Sequence, residues 1–434
     1  MSDRFDQHLE NEGIRFGYPR IMGAYLAVNA VPDLWMLVDS ADCATLRAEF
    51  IQDNHDWNST LLSEDGRHRI ANTGVCPSKI IHDRRQDIKD QMVAIGQGEG
   101  RYLIPYAAPI AALVGVDYQV LYEEIRDRIN MDLLPVRPVE ALGDWVSGYL
   151  QIIEALAEHL PLSPGPREDR NVAIVGYLWD RNEADHGANV AELKRLLSLL
   201  GLNLVSVWLS GSPTDELAAI GTASTVISLP YGRSVARLVA GRTGATVVDT
   251  DLPVGLAATM AWLRQVGDAT GSWTAARRTV EEEAGVHYRA VSKAVVRYIL
   301  NREFMIATEG YLAAAVAAMV REMGGLIRLV ATSGLQPDFG DLGPGAQFMH
   351  GPPLNSLGKS IREIFNRSTT VPVLICNEQA VGTIRTIPLA GVFLGFQSPG
   401  AHHLFDAPFM GFRGALCLTD KIVNSIPIAF TLHR

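Results

Sequence analysis

The sequence is short of cysteine and of basic charge. Its 434 residues include four cysteines and carry a formal net charge of −10. So few thiols, scattered along the chain, do not form a disulfide framework, which predicts a reducing compartment. The acidic balance excludes the broad basic surface that nucleic-acid binding needs.

Long apolar runs are also missing. The most apolar window, residues 103–116, is shorter than the ~20 residues of a membrane-spanning helix and is interrupted by Pro105 and Pro109. We expect a buried strand followed by a turn there. The opening segment, residues 1–15, is polar and lacks the apolar core of a signal peptide. We therefore expect a cytoplasmic protein that binds neither nucleic acid nor a membrane.

Several motifs of cofactor sites are absent from the sequence. No Gly-x-Gly-x-x-Gly follows a predicted strand, and no His-Glu-x-x-His or Cys-x-x-Cys indicates a self-contained zinc site. Residues 354–360 (LNSLGKS) are similar to a phosphate-binding loop, but Pro353 stands where that loop needs its first glycine. We interpret this segment as a helix start capped by Asn355 or Ser356, and we expect no nucleotide on this chain.

What the chain does contain is a repeated α/β unit. Residues 190–211 and 312–334 each begin with an amphipathic helix ending at a glycine, continue in a β-rich run and close at a second glycine; residues 22–43 are a looser copy. The repeat predicts an α/β fold of three stacked doubly wound, Rossmann-like parallel-sheet modules, with ligands at the carboxyl ends of the strands. We expect the modules at residues 16–165, 170–270 and 271–434, the last beginning with a helical bridge.

Apolar, β-branched runs mark the strands of these modules. The predicted strands are 34–38, 102–107, 171–177, 204–209, 224–229, 245–248, 303–307, 371–376 and 387–393. Helices are predicted at 139–160, 251–267, 272–300 and 414–426, and a proline- and glycine-containing linker at 161–169.

Cys43 is the cysteine best placed for chemistry. It follows a predicted strand end and precedes a helix, whose N-terminal amides stabilise a thiolate. One cysteine cannot hold an iron–sulfur cluster, which usually needs four ligands, and a quiet buried thiol is the alternative. Cys76 also precedes a predicted helix and is a weaker candidate ligand, whereas Cys376 and Cys417 are expected in the core.

Two adjacent histidines, His402 and His403, lie in the predicted loop 398–408 (SPGAHHLFDAP). They are better placed to face solvent or a substrate than to share a metal ion. Together with Asp406 they are weak candidates for a general acid, and ordinary loop polarity is the alternative.

The order of several segments resembles that of the nitrogenase component 1 type oxidoreductases. This family includes the nitrogenase molybdenum–iron subunits, their cofactor-assembly scaffolds, and the catalytic subunits of dark-operative protochlorophyllide reductase and chlorophyllide reductase. Residues 22–43 (MGAYLAVNAVPDLWMLVDSADC) and 106–117 (YAAPIAALVGVD) are similar to its two cluster loops. The remaining similar segments are 171–177 (NVAIVGY), 192–202 (ELKRLLSLLGL), 252–266 (LPVGLAATMAWLRQV) and 396–426, the family's ending before its last helix.

The resemblance implies where cluster ligands would lie. The family's three cysteines would fall near residues 16–18, on Cys43 and on or near Pro109, so only Cys43 offers a thiol. This is similar to the second subunit of protochlorophyllide reductase, which supplies a single ligand, a carboxylate. Cys43 would thus bind a [4Fe–4S] cluster shared with a paralogous, cysteine-rich subunit, and Asp39 or Asp42 could replace it.

The resemblance also implies a function. The chain would be a subunit of a nitrogenase-like reductase complex, a heterotetramer that receives low-potential electrons from an ATP-dependent iron–sulfur protein. It would reduce a small molecule or a tetrapyrrole in a cleft bordered by loops 176–185, 308–311 and 395–403. Nitrogen reduction is not expected, because the ligands of the large nitrogenase cofactor have no match here.

Two other functions remain open. The first is a non-catalytic scaffold or carrier for a metallocofactor or tetrapyrrole within a heterotetramer. The second is an unrelated stacked α/β enzyme, such as a glycosyltransferase, against which the missing phosphate-binding glycine loop argues.

Overall fold

Neighbouring strands run parallel in each of three sheets. The computed structural model describes residues 14–76, 78, 82–137, 143–162, 166–384 and 387–432. The strands are β1 (Leu34–Asp39), β2 (Ile70–Asn72), β3 (Tyr102–Ala107), β4 (Asp132–Leu133), β5 (Glu168–Val175), β6 (Asn203–Val207), β7 (Ala223–Ser228), β8 (Thr246–Asp249), β9 (Glu303–Glu309), β10 (Leu326–Ser333), β11 (Gln347–His350), β12 (Val373–Cys376) and β13 (Ala390–Phe393). The sheet orders are β2-β1-β3-β4, β6-β5-β7-β8 and β11-β10-β9-β12-β13. The predicted α/β class with three parallel-sheet modules is therefore confirmed.

Helices connect the strands. They are α1 (Arg20–Asn29), α2 (Cys43–Phe50), α3 (Arg85–Gly96), α4 (Pro109–Ala112), α5 (Tyr118–Glu123), α6 (Trp145–His159), α7 (Ala184–Leu199), α8 (Thr214–Ala218), α9 (Arg233–Thr243), α10 (Leu256–Ala269), α11 (Trp273–Ala294), α12 (Gly310–Glu322), α13 (Leu354–Arg367), α14 (Glu378–Gly382) and α15 (Gly411–Leu432). Within the described part of the chain, no helix combines the length and the apolarity needed to cross a bilayer.

The chain divides into two compact units. The N-terminal unit comprises Pro19–His186 and Leu204–Asp249 and holds the first two sheets, apart from Asn203. The described residues of the C-terminal unit lie in 14–18, 187–203 and 250–432, and they hold the third sheet. The limits given above for the three modules remain a prediction.

The N-terminal unit owes part of its packing to two glycines. Helices α1 and α6 approach so closely that a Cβ on Gly23 would collide with the Trp145 carbonyl, and one on Gly148 with the Arg20 carbonyl. On the first sheet, the apolar side chains of Trp35 and Leu37 join a buried cluster with those of α3. This packing removes both faces of β1 from water, which explains its continuous apolar sequence.

The predicted strands lie within three residues of the observed ones at each end. The repeat glycines Gly201 and Gly324 follow helices α7 and α12 with left-handed backbone, φ +68° and +78°, as helix-terminating glycines do. Helix α6 begins at Trp145, whereas residues 138–142 of its predicted start lie outside the described residues. So do residues 163–165 of the predicted linker, and β5 begins within that linker, at Glu168.

Two local predictions were wrong. Helix α13 begins at Leu354 after Pro353 without a side-chain cap, so neither Asn355 nor Ser356 caps it. The turn expected to be buried after β3 is helix α4 followed by Leu113, whose side chain is 88% exposed. Proline at the first helical position fixes a helical φ, which explains why a helix starts there.

Candidate functional site

A cavity of about 440 Å³ opens in the N-terminal unit, where β1 and β3 end. Ser40 and Ala41 follow β1 into its wall, and Tyr106 and Ala107 line it at the end of β3. The carboxyl ends of parallel strands are the usual ligand sites of open α/β sheets. The cavity therefore lies where the sequence repeat predicts a ligand.

Cys43 lines this cavity. It is the first residue of α2, and its side chain is exposed rather than buried. Pro109, which opens α4, lines the same cavity. Two of the three positions that the family resemblance assigns to cluster ligands therefore border one space. The third, residues 16–18, belongs to the C-terminal unit.

Asp39, the last residue of β1, is fully engaged in hydrogen bonds beside the cavity. Its carboxylate accepts two hydrogen bonds of 2.8 Å from Arg84, one of 2.7 Å from Thr73 and one of 2.8 Å from Tyr118. Burial raises the pKa of Asp39, but these donors lower it further, so the net pKa is below its usual value. Both oxygens are committed, so Asp39 is a structural anchor of the Cys43 loop and not a spare ligand.

The other candidate ligands differ in their surroundings. Asp42 occupies the N-cap position of α2, is exposed, and accepts no capping hydrogen bond there. The Cys76 sulfur lies 3.1 Å from the Ser78 hydroxyl, and Cys76 is not among the described residues lining the cavity. The helix expected after Cys76 falls largely on residues outside the described ones.

The two remaining cysteines behave as core residues. Cys376 ends β12 and is buried, and burial raises the pKa of its thiol. Cys417 is partly buried on α15, and burial again raises its pKa.

His402, His403 and Asp406 belong to the C-terminal unit, whereas Cys43 belongs to the N-terminal one. Nε2 of His402 lies 3.0 Å from the carbonyl oxygen of Pro399, and Asp406 is exposed. Within the C-terminal unit, the predicted cleft loops 308–311 and 395–403 do meet: the Thr308 hydroxyl fills the space where Gly395 lacks a Cβ.

The third predicted cleft loop, 176–185, is instead the centre of a buried polar network. His186 Nε2 forms an ion pair of 2.6 Å with Asp180, and the hydroxyl of Tyr177 lies 2.9 Å from His186 Nδ1. Arg181 pairs with Asp185 at 2.7 Å. All five side chains are buried, so these charged groups stabilise the interior rather than contact a ligand in an open cleft.

His55 joins this network from the first module. Its Nε2 donates to the Asp180 carbonyl oxygen at 3.0 Å, and burial lowers the pKa of His55 to about 4. Burial alone would raise the pKa of Asp180, but the facing His186 and Arg181 hold it well below its usual value. Burial alone would lower the pKa of His186, whereas Asp180 and Asp185 raise it above its usual value. The only sequence signal for this network was the polar run after β5.

No group of three or more His, Cys, Asp or Glu side chains in the described parts of the chain is arranged to hold a metal ion by itself. A cluster bound here would need ligands from elsewhere, which agrees with the single thiol at the cavity.

Parallel sheets with a thiol-lined cavity at their carboxyl edge define a Rossmann-like, ligand-binding α/β protein. The family model of the Nitrogenase component 1 type Oxidoreductase matches residues 21–427, and the chain belongs to this family. A search of curated protein sequences found no match.

Solved structures support the same fold. The chain is similar to nitrogenase Cp1 at pH 6.5, with a TM-score of 0.79 and 15% identity over 97% of this chain and 94% of that one. It is also similar to nitrogenase Cp1 at pH 5, with a TM-score of 0.70 and 12% identity over 95% and 88%. At such identities the likeness establishes the fold, and the nitrogenase component 1 fold predicted from the sequence is confirmed.

Proposed function

We propose that the chain is a subunit of a nitrogenase-like reductase complex and that Cys43 supplies one thiolate ligand to a [4Fe–4S] cluster shared with a paralogous, cysteine-rich subunit. The observation that carries this proposal is the position of Cys43, exposed at the same cavity as Pro109. An exposed thiol at a helix start is accessible to ligands from a second chain, which a buried thiol is not.

The residues present suit such a group. A thiolate is the usual protein ligand of iron–sulfur clusters, and the amides at the start of α2 favour its negative charge. The Asp39–Arg84 pair fixes the loop that carries Cys43, as the surroundings of metal ligands commonly do. When bound, the cluster would supply one-electron transfer. Asp42 and Cys76 are weaker alternative ligands.

The finer parts of the proposal concern partners and substrate. Electrons would come from an ATP-dependent iron–sulfur protein in the cytoplasm, and the complex would be a heterotetramer. The substrate would be a small molecule or a tetrapyrrole. Its protons would come from a general acid, for which His402, His403 and Asp406 are the candidates.

The test is anaerobic co-purification of the chain with the products of its neighbouring genes, followed by iron and sulfide analysis and electron spin resonance. We expect a cluster signal that Cys43→Ala abolishes or shifts. The matched control is Cys417→Ala, which removes a partly buried thiol on α15 and leaves the signal unchanged. Asp42→Asn and Cys76→Ala test the alternative ligands. An iron-containing complex whose signal is identical with and without the Cys43 thiol would rule out the ligand assignment.

A non-catalytic scaffold or carrier is the second candidate, favoured by the small number of thiols and the size of the cavity. Reconstitution with the iron–sulfur protein and ATP separates the two. Continuous substrate reduction supports the reductase, whereas a complex that binds its ligand without turnover supports the carrier.

A further inference from the structure

Three arginines and no carboxylate line the cavity beside Cys43. Arg20 comes from α1, Arg47 from α2 and Arg137 from the chain after β4, whereas neither Asp nor Glu occurs among the described residues of the lining. In a chain with ten more acidic than basic side chains, a cavity bordered by cations alone is a local reversal of charge.

The arginines differ in what holds them. The guanidinium of Arg20 lies against Gly143, where a Cβ would collide with it. Arg137 pairs with Glu158 at 2.7 Å. Arg47 is exposed, and among the described residues no carboxylate pairs with it. At least one guanidinium at the cavity is therefore available to a ligand, and its planar fork suits a carboxylate.

The rest of the lining is mostly apolar. Pro105, Ala111 and Val116 contribute carbon surface, and the polar exceptions include Gln151, whose Oε1 accepts a hydrogen bond of 3.2 Å from the Tyr106 hydroxyl. The volume of about 440 Å³ falls within the ~300–1,000 Å³ typical of small-molecule sites. An inorganic anion would use the cations and leave the apolar walls without a partner.

We propose that this cavity binds an organic anion with an apolar body, such as an aromatic carboxylate, held by Arg47 with Arg20 and Arg137 around it. The apolar walls contact the body of the ligand, and the start of α2 adds a positive end of a helix dipole beside Cys43. The proposal does not depend on a cluster at Cys43.

Two fluorescent probes of matched shape test it on the full chain. 8-Anilinonaphthalene-1-sulfonate carries a charge, and N-phenyl-1-naphthylamine is nearly the same aromatic body without it. We expect one site per chain for the anionic probe, displaced by 1-naphthoate but not by the same concentration of inorganic phosphate. Arg47→Gln is expected to weaken the anionic probe by about tenfold, one strong charge contact, and to leave the neutral probe unchanged.

Controls locate the site and guard against partial unfolding. Arg126→Gln removes an exposed arginine of the same unit that does not line the cavity, and it should leave both probes unchanged. The bound anion should also slow alkylation of Cys43 but not of Cys76, measured by peptide mass spectrometry. If Arg47→Gln and Arg126→Gln alter anionic-probe binding equally, or if phosphate displaces the probe as well as naphthoate does, the proposal is wrong.

The design keeps this site separate from the proposed function. Cys43→Ala is expected to remove the cluster signal and to keep probe binding within about twofold, because no hydrogen bond or charge of the anion site is lost. Arg47→Gln should weaken the probe whether or not a cluster forms.

Discussion

Two strand ends of the N-terminal unit have been put to opposite uses. Past β1 and β3 the chain leaves a cavity with an exposed thiol and arginines at its border. Past β5 the chain fills the equivalent position with Asp180, Arg181 and His186, all buried and paired with one another or with neighbours. The edge of a parallel sheet can thus hold a ligand or a polar core.

The difference lies in where the charges find partners. A charge removed from water must be paired, because an unpaired buried charge is strongly unfavourable. After β5 the partners are supplied by the chain itself. At the cavity, Arg47 stays in solvent contact and awaits a partner from outside. The predictions below test this contrast from its strongest effect to its weakest.

Removing one member of the buried network should have the largest effect. Asp180→Ala leaves His186 and Arg181 buried without their carboxylate, and we expect the free energy of unfolding to fall by about 3–5 kcal/mol. Denaturant unfolding followed by circular dichroism measures this. Glu282→Ala, which breaks an exposed pair with Arg278 on α11, is the control and should change stability very little. Equal effects of the two variants would contradict a closed, interdependent network.

The network should also make stability depend on pH through His55. Its folded pKa of about 4 lies below the ordinary value of about 6.5, so between these pH values the unfolded chain takes up a proton that the folded chain refuses. Stability should therefore fall by about 3 kcal/mol as pH drops from 6.5 to 4. Urea unfolding across this range should show a smaller slope in His55→Gln, whereas His159→Gln at an exposed position keeps the parent slope.

His186 acts in the opposite direction in the same experiment. Its folded pKa is raised, so its contribution is complete below the ordinary pKa and is lost as pH rises through the folded one. The alkaline side of the stability profile should therefore flatten in His186→Gln. An unchanged alkaline side would mean that His186 is not charged in the folded network.

Two glycines with left-handed backbone compare the closed and the open strand end. Gly176, φ +91°, follows β5, and a Cβ there would collide with the backbone of Gly232. Gly115, φ +70°, lines the cavity, and a Cβ there would meet nothing within 4 Å. Gly176→Ala should cost about 2–4 kcal/mol, conformational strain plus overpacking, and Gly115→Ala about 1 kcal/mol from strain alone. Thermal unfolding of both variants gives the comparison directly, and similar losses would show that the cavity wall is as tightly packed as the network.

The sequence predicted the long, strongly patterned elements well. β1, β3, β7 and β9 are buried on both faces, so their apolar runs identify them without knowledge of tertiary contacts. The short edge strands β2, β4 and β11 were missed, because two to four residues carry too little pattern. Helix α4 was missed for the same reason.

The candidate site was only partly predictable. A cysteine after a strand end was enough to single out Cys43, because the carboxyl edge of a parallel sheet gathers such residues. The arginines at the cavity come from three separate segments, 20, 47 and 137, and no local pattern joins them. The network after β5 was visible only as a polar run, since burial of charge depends on partners that lie far away in sequence, such as His55.

The smallest effect should be at the cavity thiol itself. Cys43 is exposed, so Cys43→Ser should change the free energy of unfolding by no more than about 0.5 kcal/mol. Cys376 is buried in β12, and Cys376→Ser places a hydroxyl among apolar neighbours at a cost of about 1–3 kcal/mol. Native-state alkylation should likewise modify Cys43 and spare Cys376 until the chain unfolds. A thiol that contributes so little to folding is free to serve another role, whereas a Cys43→Ser variant as unstable as Cys376→Ser would make Cys43 a packing residue and remove the basis for a ligand there.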